Sequence, residues 1–136
     1  MLKRIKNIKG DGYVEVCISA LVLITLAVIL LNIFELIMLR ISLGQTADDL
    51  ITTACYSGGF TDEFWACDAK HCDEYLYYDI DYGADEFFDA TADTVQLGHS
   101  MWVEVSAGMD VKGAGAFKIP ITVTVKRFGI SERYSK

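Results

Sequence analysis

Nineteen consecutive residues without a charge, Val16 to Phe34 (VCISALVLITLAVILLNIF), limit what this chain can become. As a helix rising about 1.5 Å per residue they cover roughly 28 Å, close to the hydrocarbon thickness of a bilayer. Only Ser19, Thr25 and Asn32 are clearly polar inside the block. The first two are expected to bond back to helix carbonyls, and Asn32 lies near the far end, within reach of water. A buried core helix is the competing reading, but no other segment is apolar enough to surround one. The block is therefore read as a membrane span, residues 16–34.

That block also explains the composition. The chain has 136 residues, 52% of them hydrophobic, a mean hydropathy of +0.29 and a formal net charge of -7. Its length fits one domain, or a small domain with an appendage. Without the span, the remainder is polar, acidic and too short for most enzymes with large clefts. These features argue against a soluble cytosolic protein, a multi-domain machine and a nucleic-acid binder with a basic face.

Charge on the two flanks sets an orientation. Residues 1–12 carry Lys3, Arg4, Lys6 and Lys9 against Asp11, whereas residues 41–136 carry 16 acidic and 7 basic side chains, a net of -9. The basic flank is expected in the cytoplasm and the C-terminal region outside the cell. A cleaved secretory signal fits less well, because the apolar run exceeds about 7 to 15 residues and no A-x-A pattern follows it. The expected localisation is a single-pass cell membrane protein.

The helical pattern continues beyond the span. Apolar residues recur with 3-4 spacing at Leu36, Leu39, Leu43, Ala47, Leu50, Ile51 and Ala54, with Arg40, Asp48 and Asp49 between them. No proline interrupts the run. One helix is expected from about Gly12 to about Cys55, apolar all round in its first half and amphipathic in its second, ended by Ser57-Gly58-Gly59. Residues 56–100 read as an irregular acidic and aromatic region, with a short helix possible over Asp85–Leu97 on the spacing of Phe88, Ala92 and Val95.

The last third reads as strands over 101–128. Met101 to Val105 alternates and Asp110-Val111 continues it after a glycine. Lys112-Gly113-Ala114-Gly115 signals a turn, and Ile119, Ile121, Val123 and Val125 then alternate with more polar neighbours. Pro120 favours an edge strand or a strand's first residues. The fold class is α+β: a long N-terminal helix, transmembrane then amphipathic, packed on a small C-terminal antiparallel sheet.

Ahead of the span stands Lys9-Gly10-Asp11-Gly12-Tyr13-Val14-Glu15. A carboxylate at the mouth of an apolar span is costly unless it finds a partner. A basic leader ending in Gly, a Glu five residues later and about 20 apolar residues resemble the class III signal of type IV pilins and pseudopilins. The resemblance implies cleavage by a prepilin peptidase between Gly10 and Asp11, removing the leader 1–10. It also implies that Glu15, as the fifth mature residue, pairs with the new amine of a neighbouring subunit and sets register during assembly. Asp11 departs from classical pilins, which seldom carry an acid at that position.

The whole chain resembles the TadE-like, pilin-related proteins encoded in conjugative elements of Gram-positive anaerobes. The likeness is carried by MLKRIKNIKGDGYVEV at the front and by Pro120-Ile121-Thr122 and Gly129-Ile130-Ser131-Glu132-Arg133-Tyr134 at the back. It does not cover residues 56–100. It implies a pilin-like fold, like subunits or other pilin-like proteins as partners through Leu21–Leu31, and a prepilin peptidase with assembly machinery.

Other chemistry is thinly represented. Cys17 lies in the span as a small apolar residue. Cys55, Cys67 and Cys72 fall outside, and one disulfide among them is expected, through the Cys67–Cys72 loop or from Cys55 to the segment that follows it. Cys55, Cys67, His71 and Cys72 lack the C-x2-C spacing of a zinc site. Asp79 to Glu86 loosely resembles a calcium loop, broken by Gly83 at a ligand position. No hydrolase, P-loop or metalloprotease motif occurs, so no catalytic residue, cofactor or metal is assigned. The expected role is a membrane-anchored structural subunit or minor pseudopilin of a conjugative, pilus or secretion apparatus. The alternative is a non-polymerising accessory protein whose outer module binds a partner.

Overall fold

A computed structural model describes residues 8–72, 77–113 and 117–134 of the chain. Side chains are described from Gly12 onward; residues 1–7 of the leader, and the Ala114–Gly115 part of the expected turn, lie outside the described residues.

Helix α1 spans Ile8–Ser57, 50 residues and about 75 Å. It begins four residues earlier than the spacing suggests and ends two later. Ser19 and Thr25 donate to the carbonyls of Glu15 and Leu21, so both hydroxyls are satisfied within the helix, as expected. The helix stops where Gly58 turns to φ 78°, a conformation open to glycine at little cost. The amides of Gly58 and Gly59 both donate to the Ala54 carbonyl at 3.0 Å, closing a Schellman-type end.

Helix α2, Asp62–Cys72, follows directly, with Asp62 and Glu63 in its first turn and Lys70 and His71 in its last, each sign suited to the helix dipole. Its Phe64 is fully buried. This helix lies in the region read as irregular. The helix considered over Asp85–Leu97 does not form: the segment is a chain of turns with isolated bridges Gly59↔Thr94 and Asp89↔Thr94. Its short polar side chains bond locally instead. The Thr91 amide donates to the Asp89 carboxylate at 2.8 Å and Asp93 sits at φ 49°, both incompatible with continued helix. Of the apolar spacing that suggested it, only Val95 reaches the core, while Phe88 is exposed.

Three antiparallel strands make one sheet in the order β1-β2-β3: β1 Asp79–Ala84, β2 Ser100–Gly113 and β3 Phe117–Ile130. β2 runs unbroken through Gly108, and β3 extends two residues past the expected limit. Pro120 lies on the edge strand β3, fourth from its start. β2 and β3 form one long hairpin with Asp110 opposite Pro120 and Lys112 opposite Lys118.

The second half of α1 packs on one face of this sheet. Leu43, Ala47, Leu50 and Ala54 from the helix meet Met101, Val103 and Val105 from β2 and Val123 and Val125 from β3. Phe60 and Phe64 close the far end, packed edge to face at 5.1 Å. Burying side chains of this size stabilises the fold by about 1.5–3 kcal/mol each. The fold is thus α+β, a long helix packed on a small antiparallel sheet.

Candidate functional site

Two surfaces of α1 have opposite fates. Leu36, Leu39, Leu43, Ala47 and Leu50 pack into the core. From Gly12 to Leu31, by contrast, almost every side chain is exposed, including Leu21 at 67% and Leu31 at 64%. Leu21–Leu31, the expected packing surface, is therefore wholly uncovered within one copy except for partial cover at Val28. Helix Gly12–Ser57 is long and apolar enough to cross a membrane.

The uncovered region does not end with the span. Leu30, Phe34, Ile37, Met38 and Ile41 are each about half exposed or more, at 3-4 spacing. By helical periodicity this stripe lies opposite the residues that face the sheet. It stops at Ile41, and Gln45, Asp48 and Thr52 continue the same side in polar form.

Asn32 marks the boundary between the two halves. Its Nδ2 donates to the Lys112 carbonyl at 2.8 Å, and its Oδ1 accepts from the Lys112 amide at 3.2 Å. Nδ2 also donates to the Val28 carbonyl. One side chain thus pairs both backbone groups of a residue 80 positions away, as a neighbouring strand would. The sequence places Asn32 near water; the structure gives it a protein partner instead. A polar residue near the end of an apolar block is the signal, but nothing local names Lys112.

Along the helix above Asn32, β3 runs in the same direction as α1. Arg127 Nε donates to Asp48 at 2.6 Å, and Gly129 packs against Ile51 and Cys55. The tail that carries the back half of the resemblance then finishes the helix. The Glu132 amide donates to the Cys55 carbonyl at 3.0 Å, and Arg133 Nη1 to the Ser57 carbonyl at 3.2 Å. Ser131 is buried, its hydroxyl donating to the Val95 carbonyl at 3.0 Å. Carbonyls that a helix end leaves open are thus met by the last strand's extension.

The remaining sequence candidates separate. Gly10 and Asp11 lie in the first turns of α1, so the bond between them sits in helical backbone; the Asp11 side chain lies outside the described residues. Glu15 is exposed on the helix and has no side-chain partner among the described residues. Cys55, Cys67 and Cys72, like Cys17, are free thiols in the structure. Cys55 lies at the end of α1, and burial pushes its thiol pKa up, with the Glu132 carboxylate adding to the shift. His71 pairs with Asp49 at 3.3 Å, joining α2 to α1. Asp79 and Asp81 are exposed on strand β1, not in a loop, and Gly83 lies under the Trp102 ring. No group of three or more potential metal-ligating side chains occurs among the described residues.

Comparison with protein-family models, with curated proteins and with solved structures finds no match to this chain.

Proposed function

We propose that this protein is a membrane-anchored, pilin-like structural subunit that assembles with copies of itself or with similar subunits through α1. The observation that carries the reading is the apolar stripe Leu30–Phe34–Ile37–Ile41. A lipid anchor alone accounts for the helix up to Asn32. Above Asn32 the sheet occupies one side of the helix, and its charged side chains, Lys112, Lys118 and Asp110 among them, are costly inside a bilayer. The stripe on the other side, Phe34 to Ile41, therefore faces water in a lone copy, for about two turns. A second α1 laid against it supplies the missing cover, in the way parallel amphipathic helices pair.

The charge split supports insertion with the basic leader in the cytoplasm and the sheet outside. The leader pattern supports processing between Gly10 and Asp11, and Glu15, without a side-chain partner among the described residues, supports pairing with an amine of a neighbour. The helical setting of Gly10-Asp11 requires local fraying before cleavage, which the flanking Gly10 and Gly12 ease. Adhesion, secretion and transfer of a conjugative element all use such subunits.

The test is sedimentation of material sheared from cells expressing the full chain, with the intact mass of what is recovered. A large sedimenting species lacking Met1–Gly10 supports the proposal. Ile37→Asp is expected to leave membrane anchoring intact and abolish the sedimenting species. Protein that stays monomeric and membrane-bound with its leader retained points to a non-polymerising accessory protein instead.

A further inference from the structure

The inward row of β3 runs Val125, Val123, Ile121, Ile119 and Phe117, every second residue of the strand. Val125 and Val123 are buried, but Ile119 is 50% and Phe117 57% exposed. The apolar row thus continues past the point where α1 covers it. Its uncovered end lies on the side of the domain nearest the span, because Lys112, opposite Lys118 in the hairpin, is held by Asn32.

Geometry brings this end to the bilayer. From Val16 to Asn32 a helix rises about 24 Å, whereas a hydrocarbon core is about 30 Å thick. Because the apolar run up to Asn32 is no longer than that core is thick, Asn32 and the hairpin end it holds lie at the outer boundary of the bilayer and not clear of it. An unbonded amide at that depth is costly, and Asn32 is fully bonded there by Lys112 and Val28.

Charge points the same way. The outer region as a whole is acidic, yet from Val111 to Ser131 the chain has no acidic side chain and carries Lys112, Lys118, Lys126 and Arg127. The Lys118 ammonium lies 2.7 Å from Asp110, the nearest carboxylate in the hairpin, and Lys112 is exposed.

We propose that the end of the β2–β3 hairpin is a second membrane contact of this protein. Phe117 and Ile119 enter the interfacial layer of the outer leaflet, and Lys112 and Lys118 meet its headgroups. Aromatic and aliphatic side chains favour that layer, and lysine stems reach from it to anionic phosphates. Attachment at two points fixes the tilt and rotation of the sheet on the bilayer. It thereby holds the Phe34–Ile41 stripe at a constant height for a neighbouring helix. The inference rests on the membrane-anchored reading above.

The test uses the full-length protein in vesicles at high lipid-to-protein ratio, with lipids brominated in the upper acyl chain. Phe117→Trp is compared with the unsubstituted protein, whose Trp65 and Trp102 give the background. Extra quenching and blue-shifted emission from Trp at 117, stronger with anionic lipid and lost on adding Ile119→Asp, support the proposal. Protein that resists carbonate extraction but shows no quenching beyond background overturns the hairpin contact while leaving the anchor intact. Protein extracted by carbonate overturns the anchor and the contact together. A blue shift without quenching, appearing only in crowded vesicles, assigns the row to a second copy and overturns the contact.

Discussion

Asn32 grips the backbone of Lys112 at both its amide and its carbonyl, tying the end of the β2–β3 hairpin to the last turn of the apolar span. This one pairing converts a helix with a sheet on its upper half into a unit of fixed geometry.

Asn32→Leu keeps the span apolar but removes three side-chain hydrogen bonds. Each such bond contributes about 1 kcal/mol net. Faster hydrogen exchange is expected at the Lys112 amide, with Val103 and Val105 in the core unchanged. Unchanged protection at Lys112 counts against the clamp.

Cys55 and Cys72 are both free thiols, but in different settings. Burial raises the pKa of Cys55, so less of it is thiolate at neutral pH, whereas Cys72 is exposed. Alkylation of the folded protein, read by peptide mass, is expected to label Cys72 well ahead of Cys55. The difference should vanish in denaturant.

Tyr78 links β1's approach to α2, its hydroxyl donating to the Asp68 carboxylate at 2.9 Å. Burial first, and this bond second, push its pKa up strongly. The folded protein therefore holds the phenolic proton more tightly than the unfolded chain does. The resulting stability is complete below the ordinary tyrosine pKa of about 10 and is lost as pH rises above it. Chemical denaturation should show a steeper decline between about pH 10 and 11 than for Tyr78→Phe. At neutral pH, Tyr78→Phe is expected to cost about 1 kcal/mol.

Glu15 has no side-chain partner among the described residues. Glu15→Ala is expected to insert in the membrane to the same extent and to fail in assembly, because a neighbour's amine then lacks its counter-charge. Fractionation followed by sedimentation of sheared material measures both. Normal assembly of this variant removes the registration role.

Much of this architecture is legible in the residues themselves. The uncharged block, the 3-4 spacing from Leu36 to Ala54, the glycine stop and the alternation of β3 each act through short-range periodicity, and each forms. α2 was hidden because its apolar content is low: Phe64 is its one buried side chain, and acids dominate its first turn. β1 was hidden because Asp79-Ile80-Asp81-Tyr82 alternates with acids on the open face, which reads equally as a solvated loop. The apolar stripe was legible as composition, but its upper limit at Ile41 depends on where the sheet covers the helix. The Asn32–Lys112 clamp and the capping of α1 by Glu132 and Arg133 depend on long-range approach, for which no local spacing carries a signal.

Assembly through α1 is tested most directly by cysteine cross-linking in native membranes, one substitution at a time, in a background with Cys17, Cys55, Cys67 and Cys72 replaced by serine or alanine. Phe34→Cys, Ile37→Cys and Ile41→Cys lie on the uncovered stripe, and Glu35→Cys and Leu39→Cys lie off it. Disulfide-linked dimers are expected at 34, 37 and 41 and not at 35 or 39. Equal or absent cross-linking at all five positions contradicts assembly through this face.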